Sequence, residues 1–294
     1  VPVGIAVDRR NRMRLMILLV ALATTGAALT AFAHGMTILF AARMLVALGA
    51  NAAVTACISI GADLCPPSRR GASMLILTLG KWAGSAGAFA AGGWLLGFFG
   101  AGIPTWFSVA APWRAAHLAL VGAGLITIML LFALREPVRL ETEAGPRAPL
   151  ATVARELWAR RAFVLPLFAG QISVFMADSA ATIWAAPVLT RSYGLQPPQF
   201  ASWMGLVVFA AGISGSVLGG LGADLGRKSR RRGGIMTAAV LFAALSIPVA
   251  LFPIAPGVPL FATALGLFLL CGTVTGLVTA TAITVVLPNE LRGL

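Results

Sequence analysis

From residue 15 to residue 33 no side chain carries a charge, and apolar runs of similar or greater length return seven more times before the chain ends. About 17 to 25 consecutive apolar residues cross the hydrocarbon of a bilayer once as a helix. Inside lipid each segment must close its own backbone hydrogen bonds, so only helices or closed barrels span. Barrel strands alternate in polarity over roughly ten residues, and residues 16–29 show no alternation. The runs are therefore read as eight helices, at about 13–33, 36–64, 72–99, 113–134, 162–190, 200–221, 234–253 and 258–287. The fold class is all-α, a polytopic transmembrane helical bundle with the lipid bilayer as its solvent. Composition agrees: 59% of the 294 residues are hydrophobic and 11% charged, against about 25% charged in a soluble domain.

A net charge of +13 raises nucleic acid as a partner, but the basic residues lie in short clusters between apolar runs without interleaved aromatics, so no nucleic acid is expected. Eighteen of the 22 basic residues fall in alternate loops, the bias that marks the cytoplasmic side. Both ends are expected in the cytoplasm, with the bundle in the plasma or inner membrane. Cys57, Cys65 and Cys271 are scattered, and no Cys/His spacing suggests a metal or disulfide framework. No cofactor is expected. The chain starts at Val1 and stops at Leu294 directly after a polar turn, so both ends are expected to be cut from something longer.

The polar stretch 135–161, with Pro137, Pro146 and Pro149, reads as a cytoplasmic linker. It separates a first half-bundle, 1–134, from a second, 162–294. Residues 151–161 suit either a short amphipathic surface helix or a solvated turn. Two pairs of segments repeat across the linker. Gly4 to Arg12, with Asp8, matches Gly220 to Lys228, with Asp224; Pro66 to Gly71 matches Pro288 to Gly293. Such repeats in a polytopic protein point to two pseudo-symmetric bundles with a site where they meet.

At these residues the sequence resembles the major facilitator superfamily of secondary transporters, whose loop after the second helix reads Gly-x-x-x-Asp-Arg-x-Gly-Arg-Lys. Arg43 to Gly49 resembles its fourth-helix arginine motif, and Pro112-Trp113-Arg114 with Leu134-Arg135-Glu136-Pro137 the borders of its sixth helix. The resemblance covers the whole chain as helices three to ten of twelve. Asp63 to Gly71 and the small-residue fifth helix are most similar to spinster-like and related organic-anion carriers, although Ala50 stands where such carriers often have a glutamate. The resemblance implies a cytoplasmic gate built from Asp8, Arg12, Asp63, Arg70, Asp224 and Arg227. In it the loop arginine pairs with Asp63, and Asp224 docks at the start of the fifth helix near Gly71 to Met74.

A charge at the bilayer midplane costs roughly 2.5 to 3.5 kcal/mol on insertion scales and so faces a cavity or a partner. Three such charges stand out: Arg43, Lys81 about 14 Å into its span at 1.5 Å per residue, and Asp178. Each also has a plainer reading, as a snorkelling arginine, a packing ammonium and a structural hydrogen bond. Arg43, Ala47 and Asn51 share one helix face; Gln171, Asp178 and Thr182 share another. These two polar stripes suggest a water-filled path, and two cations against one acid suit an anionic solute. The substrate-cavity set is Arg43, Asn51, Lys81, Gln171, Asp178 and Thr182. The spacings Gly80/Gly84, Gly93/Gly97 and Gly215/Gly219 read as close-packing contacts, with a hinge at Gly92-Gly93 as the other reading. Gly212-Ile213-Ser214-Gly215 resembles an intramembrane serine-protease motif, but His34 and His117 lie at span ends and no base reaches Ser214. The protein is read as no enzyme. The expected function is alternating-access transport of a small organic, anionic solute with protons as the candidate coupling ion. A lipid or drug exporter of the same fold and a non-transporting receptor or scaffold are the rivals.

Overall fold

The computed structural model describes residues 10–64, 70–101, 111–137, 155, 158–229 and 233–286, with the side chains at 62, 70–75 and 283–286 left aside. Eight helices carry these residues: α1 (Arg12–Ala31), α2 (Met36–Leu64), α3 (Arg70–Gly100), α4 (Pro112–Phe132), α5 (Arg161–Arg191), α6 (Pro197–Lys228), α7 (Thr237–Val249) and α8 (Val258–Val286). Short 3-10 turns, Gly234–Met236 and Phe252–Ile254, flank α7. Among the described residues seven segments are long and apolar enough to cross a membrane. The eighth, α3, is 31 residues long and carries Lys81 and Ser85 with several glycines along its middle. Large apolar side chains such as Phe40, Met129 and Ile247 point outwards, each about 70% exposed, as a lipid-facing surface requires. Most of segment 151–161 lies outside the described residues.

The sixth apolar run, read as 200–221, is a longer helix. α6 continues through Asp224 and Arg227 to Lys228, so the second copy of the repeated segment is helix and not loop. Gly222 and Gly226 make this possible: a Cβ on either would strike Ala238 or the backbone of Gly234, so the helix end and the start of the next span touch directly. Arg227 and Lys228 then occupy the last turn, where a cation is favoured by the helix dipole. Gly233, at φ 76°, reverses the chain there, a conformation that costs glycine nothing.

By packing, the chain divides into two compact units, one made mainly of Val1–Gly80 and Trp94–Ala144, the other of Lys81–Gly93 and Gly145–Gly293. This division differs from the linker-based one at the middle of α3. In the first unit, α1 lies against α2 and α4. Gly26 sits where a Cβ would be 2.8 Å from Ala42 O and Val46, and Gly49 where it would be 2.5 Å from Leu19 O and 2.7 Å from Ala23 N. Gly124 is closed in the same way by Thr24. With no hydrophobic drive between helices in lipid, such close backbone approach supplies the packing.

In the second unit α8 runs against α5, α6 and α7, and its core is the apolar cluster around Met204, Phe252, Phe261 and Leu265. Tyr193 donates to Ala255 O at 2.5 Å and packs edge-on to Phe261, tying the end of α5 to the start of α8. Gly215 and Gly219 pack on α8, as their spacing predicts. The middle of α3 joins this unit through three points: Gly93 on Ala201, Gly205 on Ala86 and Gly212 under the Trp82 ring. Gly80, Gly84 and Gly92 instead face open space, and α3 runs unbroken past Gly92 and Gly93.

Overpacking a filled contact costs typically about 1 to 3 kcal/mol. Gly49→Val, which must displace the backbone of α1, is expected to lower the thermal midpoint of the detergent-purified protein by several degrees, whereas Gly35→Ala, in open space, leaves it unchanged. Equal midpoints for the two variants would contradict the α1/α2 packing.

Candidate functional site

Two groups of polar side chains stand out, one in each unit. In the first, α1 begins with Asn11, whose side chain accepts from Arg14 N at 2.8 Å, a helix cap. The next residue, Arg12, is only 3% exposed. Its guanidinium forms an ion pair with Asp63 and a second, at 3.4 Å, with Glu136. It also donates to Ser59 O at 3.3 Å and Ser59 Oγ at 3.2 Å. Glu136 accepts from the Arg12 backbone N–H as well, at 3.2 Å, so one carboxylate serves both the side chain and the helix N-terminus. The start of α1, the end of α2 and the segment after α4 are thereby tied to one planar cation, a geometry suited to arginine and not to lysine.

Arg43, on α2, reaches His117 on α4, with Nη2 3.4 Å from Nε2. His117 Nδ1 lies 2.8 Å from Trp113 O, which fixes Nδ1 as the donor and leaves Nε2 to accept from the guanidinium. Asn51 turns back on its own helix and donates to Ala47 O at 2.8 Å.

The second group surrounds a cavity of about 330 Å³ lined by Lys81, Trp82, Ser85, Phe175, Asp178, Ser179, Thr182, Ile183, Val208, Leu269 and Thr273. It lies within the second unit, between the middle of α3 and α5, α6 and α8. Trp82 is fixed by the Gly212 contact and by Nε1 donating to Ser216 Oγ at 3.3 Å. Lys81 Nζ lies 4.6 Å from the Trp82 ring centroid, a cation–π distance. No ion pair joins Lys81 to Asp178 among the described residues. Thr182 spends its hydroxyl proton on Asp178 O at 2.8 Å. Gln171 is two turns from Asp178 on the same face, against Gly276. The chemistry available is one cation, one carboxyl and several hydroxyls on an otherwise apolar wall, the pattern of a small-molecule site. A slightly larger cavity, about 360 Å³, borders Arg10, Asn11, Arg14, Leu15 and Leu18.

Of the residues expected in the cavity, Lys81, Asp178 and Thr182 share one space, while Arg43 and Asn51 belong to the other unit. Of those expected at the gate, Arg12 meets Asp63, and Asp224 meets Arg227 at 3.2 Å, with both side chains over 60% exposed. Asp8 lies outside the described residues, as do the side chain of Arg70 and those of Gly71 to Met74. The sequence reading used Glu136 only as a helix border and missed its pairing, because a separation of 124 positions from Arg12 leaves no local signal. It missed Gly272 and Gly276 for a similar reason: nothing in an apolar run tells which side chain will face a glycine. Ser214 donates to Ala210 O at 2.6 Å, an intrahelical bond, and among the described residues no His, Cys, Asp or Glu group could hold a metal.

Eight helices, a buried arginine–carboxylate tie and a polar cavity inside an apolar bundle define a polytopic integral membrane protein. The family profile described as Major Facilitator Superfamily matches residues 1–293, and the chain belongs to that superfamily. Its fold is similar to the crystal structure of a bacterial homolog to the human lysosomal transporter Spinster in an inward-facing, unoccupied conformation, with 22% identity and a TM-score of 0.77 over 99% of this chain and 65% of that one. The occupied form of the same kind of protein gives 20% identity and a TM-score of 0.72, over 99% of this chain and 64% of that one. The chain thus spans a little under two thirds of the length of those structures. None of the curated proteins matches it.

Removing one partner from a buried ion pair costs about 3 to 5 kcal/mol. Arg12→Gln is expected to destabilise the protein by about 3 kcal/mol in denaturant titrations in micelles, and Arg12→Lys is expected to recover less than half of that loss. Wild-type stability in either variant would show that the Asp63 and Glu136 contacts carry no load.

Proposed function

We propose that this chain is the main part of a secondary transporter that moves a small organic anion across the plasma or inner membrane by alternating access, with both ends of the segment in the cytoplasm. The observation that carries the reading is the cavity in which Lys81 and Asp178 stand without pairing to each other. An ammonium in an apolar wall attracts an acidic solute, and a carboxyl beside it is a group that can take and release a proton as the solute comes and goes. Arg43, beside His117 on the neighbouring helix, is the second cation of this reading. In this reading Asn51, Gln171 and Thr182 line the solute path. Asp8, Arg12, Asp63, Arg70, Asp224 and Arg227 form the cytoplasmic gate, with Arg12 and Asp63 as its fixed element. Two half-bundles rocking about a central site is the general mechanism of such repeats.

A lipid or drug exporter is the second reading, favoured by Trp82, Phe175, Ile183, Val208 and Leu269 on the cavity wall. Size weighs against it: about 330 Å³ sits at the low end of the roughly 300 to 1,000 Å³ of small-ligand pockets.

The complete transporter in proteoliposomes, tested with a panel of labelled small carboxylates under an inward proton gradient, is expected to accumulate at least one of them. Lys81→Gln should lower that uptake about ten-fold or more, as loss of a desolvated charge partner does. Uptake confined to amphipathic cations or lipids, or uptake of a carboxylate that ignores Lys81→Gln, would sink the proposal.

A further inference from the structure

Asp178 occupies an unusual place for a carboxyl group. Its Oδ1 is buried and has no hydrogen-bond partner. Three threonine hydroxyls nearby are already spent: Thr182 donates to Asp178 O, Thr273 to Leu269 O at 2.8 Å and Thr275 to Cys271 O at 2.8 Å. What lies against the carboxyl is the bare Cα of Gly272 on α8. A Cβ there would collide with Oδ1 and would stand 2.6 Å from both Cγ and Oδ2. The whole carboxyl group therefore rests in a notch that exists only because residue 272 has no side chain. One turn along α8, Gly276 faces Gln171, but a Cβ at Gly276 would meet Nε2 at 3.6 Å, an ordinary contact.

An orphaned buried acceptor costs about 1 to 3 kcal/mol, and the flanking cation, Lys81, lines the same cavity. Left to itself, the carboxyl would turn to that ammonium. The notch gives it somewhere else to lie, out of pairing distance. We propose that Gly272 is a positioning residue that seats Asp178 against α8 and so keeps Lys81 unpaired and open to the acidic group of the solute. This rests on reading the cavity as the solute site. A side chain at 272 would push the carboxyl into the cavity, where it would neutralise Lys81 and take the solute's place. Gly272 thus sets the affinity for anions without touching them.

The test reads Lys81 directly. The complete transporter in detergent is treated with trinitrobenzenesulfonate, an anionic amine reagent, and modification at Lys81 is followed by peptide mass spectrometry. Wild type and Gly276→Ala are expected to react at equal rates. Gly272→Ala should react about five-fold more slowly, the size of one exposed ion pair, and adding Asp178→Asn should restore the rate, because a neutral amide forms no ion pair with the ammonium. An unchanged rate in Gly272→Ala, or a slow rate that Asp178→Asn fails to restore, overturns the proposal. Should Gly272→Ala fold poorly, thermal midpoints decide: the substitution should cost several degrees in the native background and little in Asp178→Ala, and equal losses overturn the seat. Because labelling needs no transport, a protein that carries no organic anion but shows this pattern refutes the proposed function and leaves the seat standing.

Discussion

A full charge held in hydrocarbon costs roughly 2.5 to 3.5 kcal/mol on insertion scales, and the arrangement of this bundle follows from how each charge on its spans meets that cost. Arg12 is enclosed at a helix end by two carboxylates and a serine. Arg43 leans on a histidine whose tautomer is set by a backbone carbonyl. Lys81 lies near the Trp82 ring on a cavity wall, and Asp178 lines the same cavity with one oxygen turned to a glycine. The first arrangement is closed, with its partners within the fold. The cavity is open, and its two opposite charges remain apart. That difference separates a structural tie from a place where a solute can bind.

Small residues make both arrangements possible. Gly26, Gly49 and Gly124 bring α1 close enough to α2 and α4 for one guanidinium to reach three segments of chain. Gly205 and Gly212 bring the middle of α3 onto α6, and this approach carries Lys81 and Trp82 to the cavity wall. Threonines on α8 return their hydroxyl protons to carbonyls of the preceding turn, so they offer lone pairs and not donors to whatever enters. Lipid gives helices no hydrophobic reason to associate, and side-chain size at these crossings does the work that apolar burial does in water.

Much of this was legible in the chain because the bilayer simplifies the code. Apolar run length located all eight helices, and helical periodicity put Asp178 and Thr182 on one face with Gln171. The pairing of Arg12 with Asp63 followed from the superfamily resemblance. What escaped depends on tertiary contact. Asp224 and Arg227 read as loop because charges usually end a span, yet two glycine contacts carry α6 on through them. Glu136 sits beside a proline in a polar stretch and gives no sign that it completes the Arg12 cluster. Gly272 looks like any helix-packing glycine, although it faces a carboxyl group, whereas Gly80 and Gly84 have the packing spacing and face open space.

The central claim is that the Lys81/Asp178 cavity is a water-filled solute site inside the membrane. Its most direct test is the reactivity of a cysteine at position 182 toward a membrane-impermeant, charged thiol reagent, with Cys57, Cys65 and Cys271 replaced by serine and the complete protein reconstituted in vesicles. Thr182→Cys is expected to react, while Ile247→Cys, 71% exposed on α7, a helix that lends no residue to the cavity, stays inert in lipid. An inert Thr182→Cys in a sample where Ser229→Cys reacts would mean that the cavity is closed to water, and the account of the site would fail.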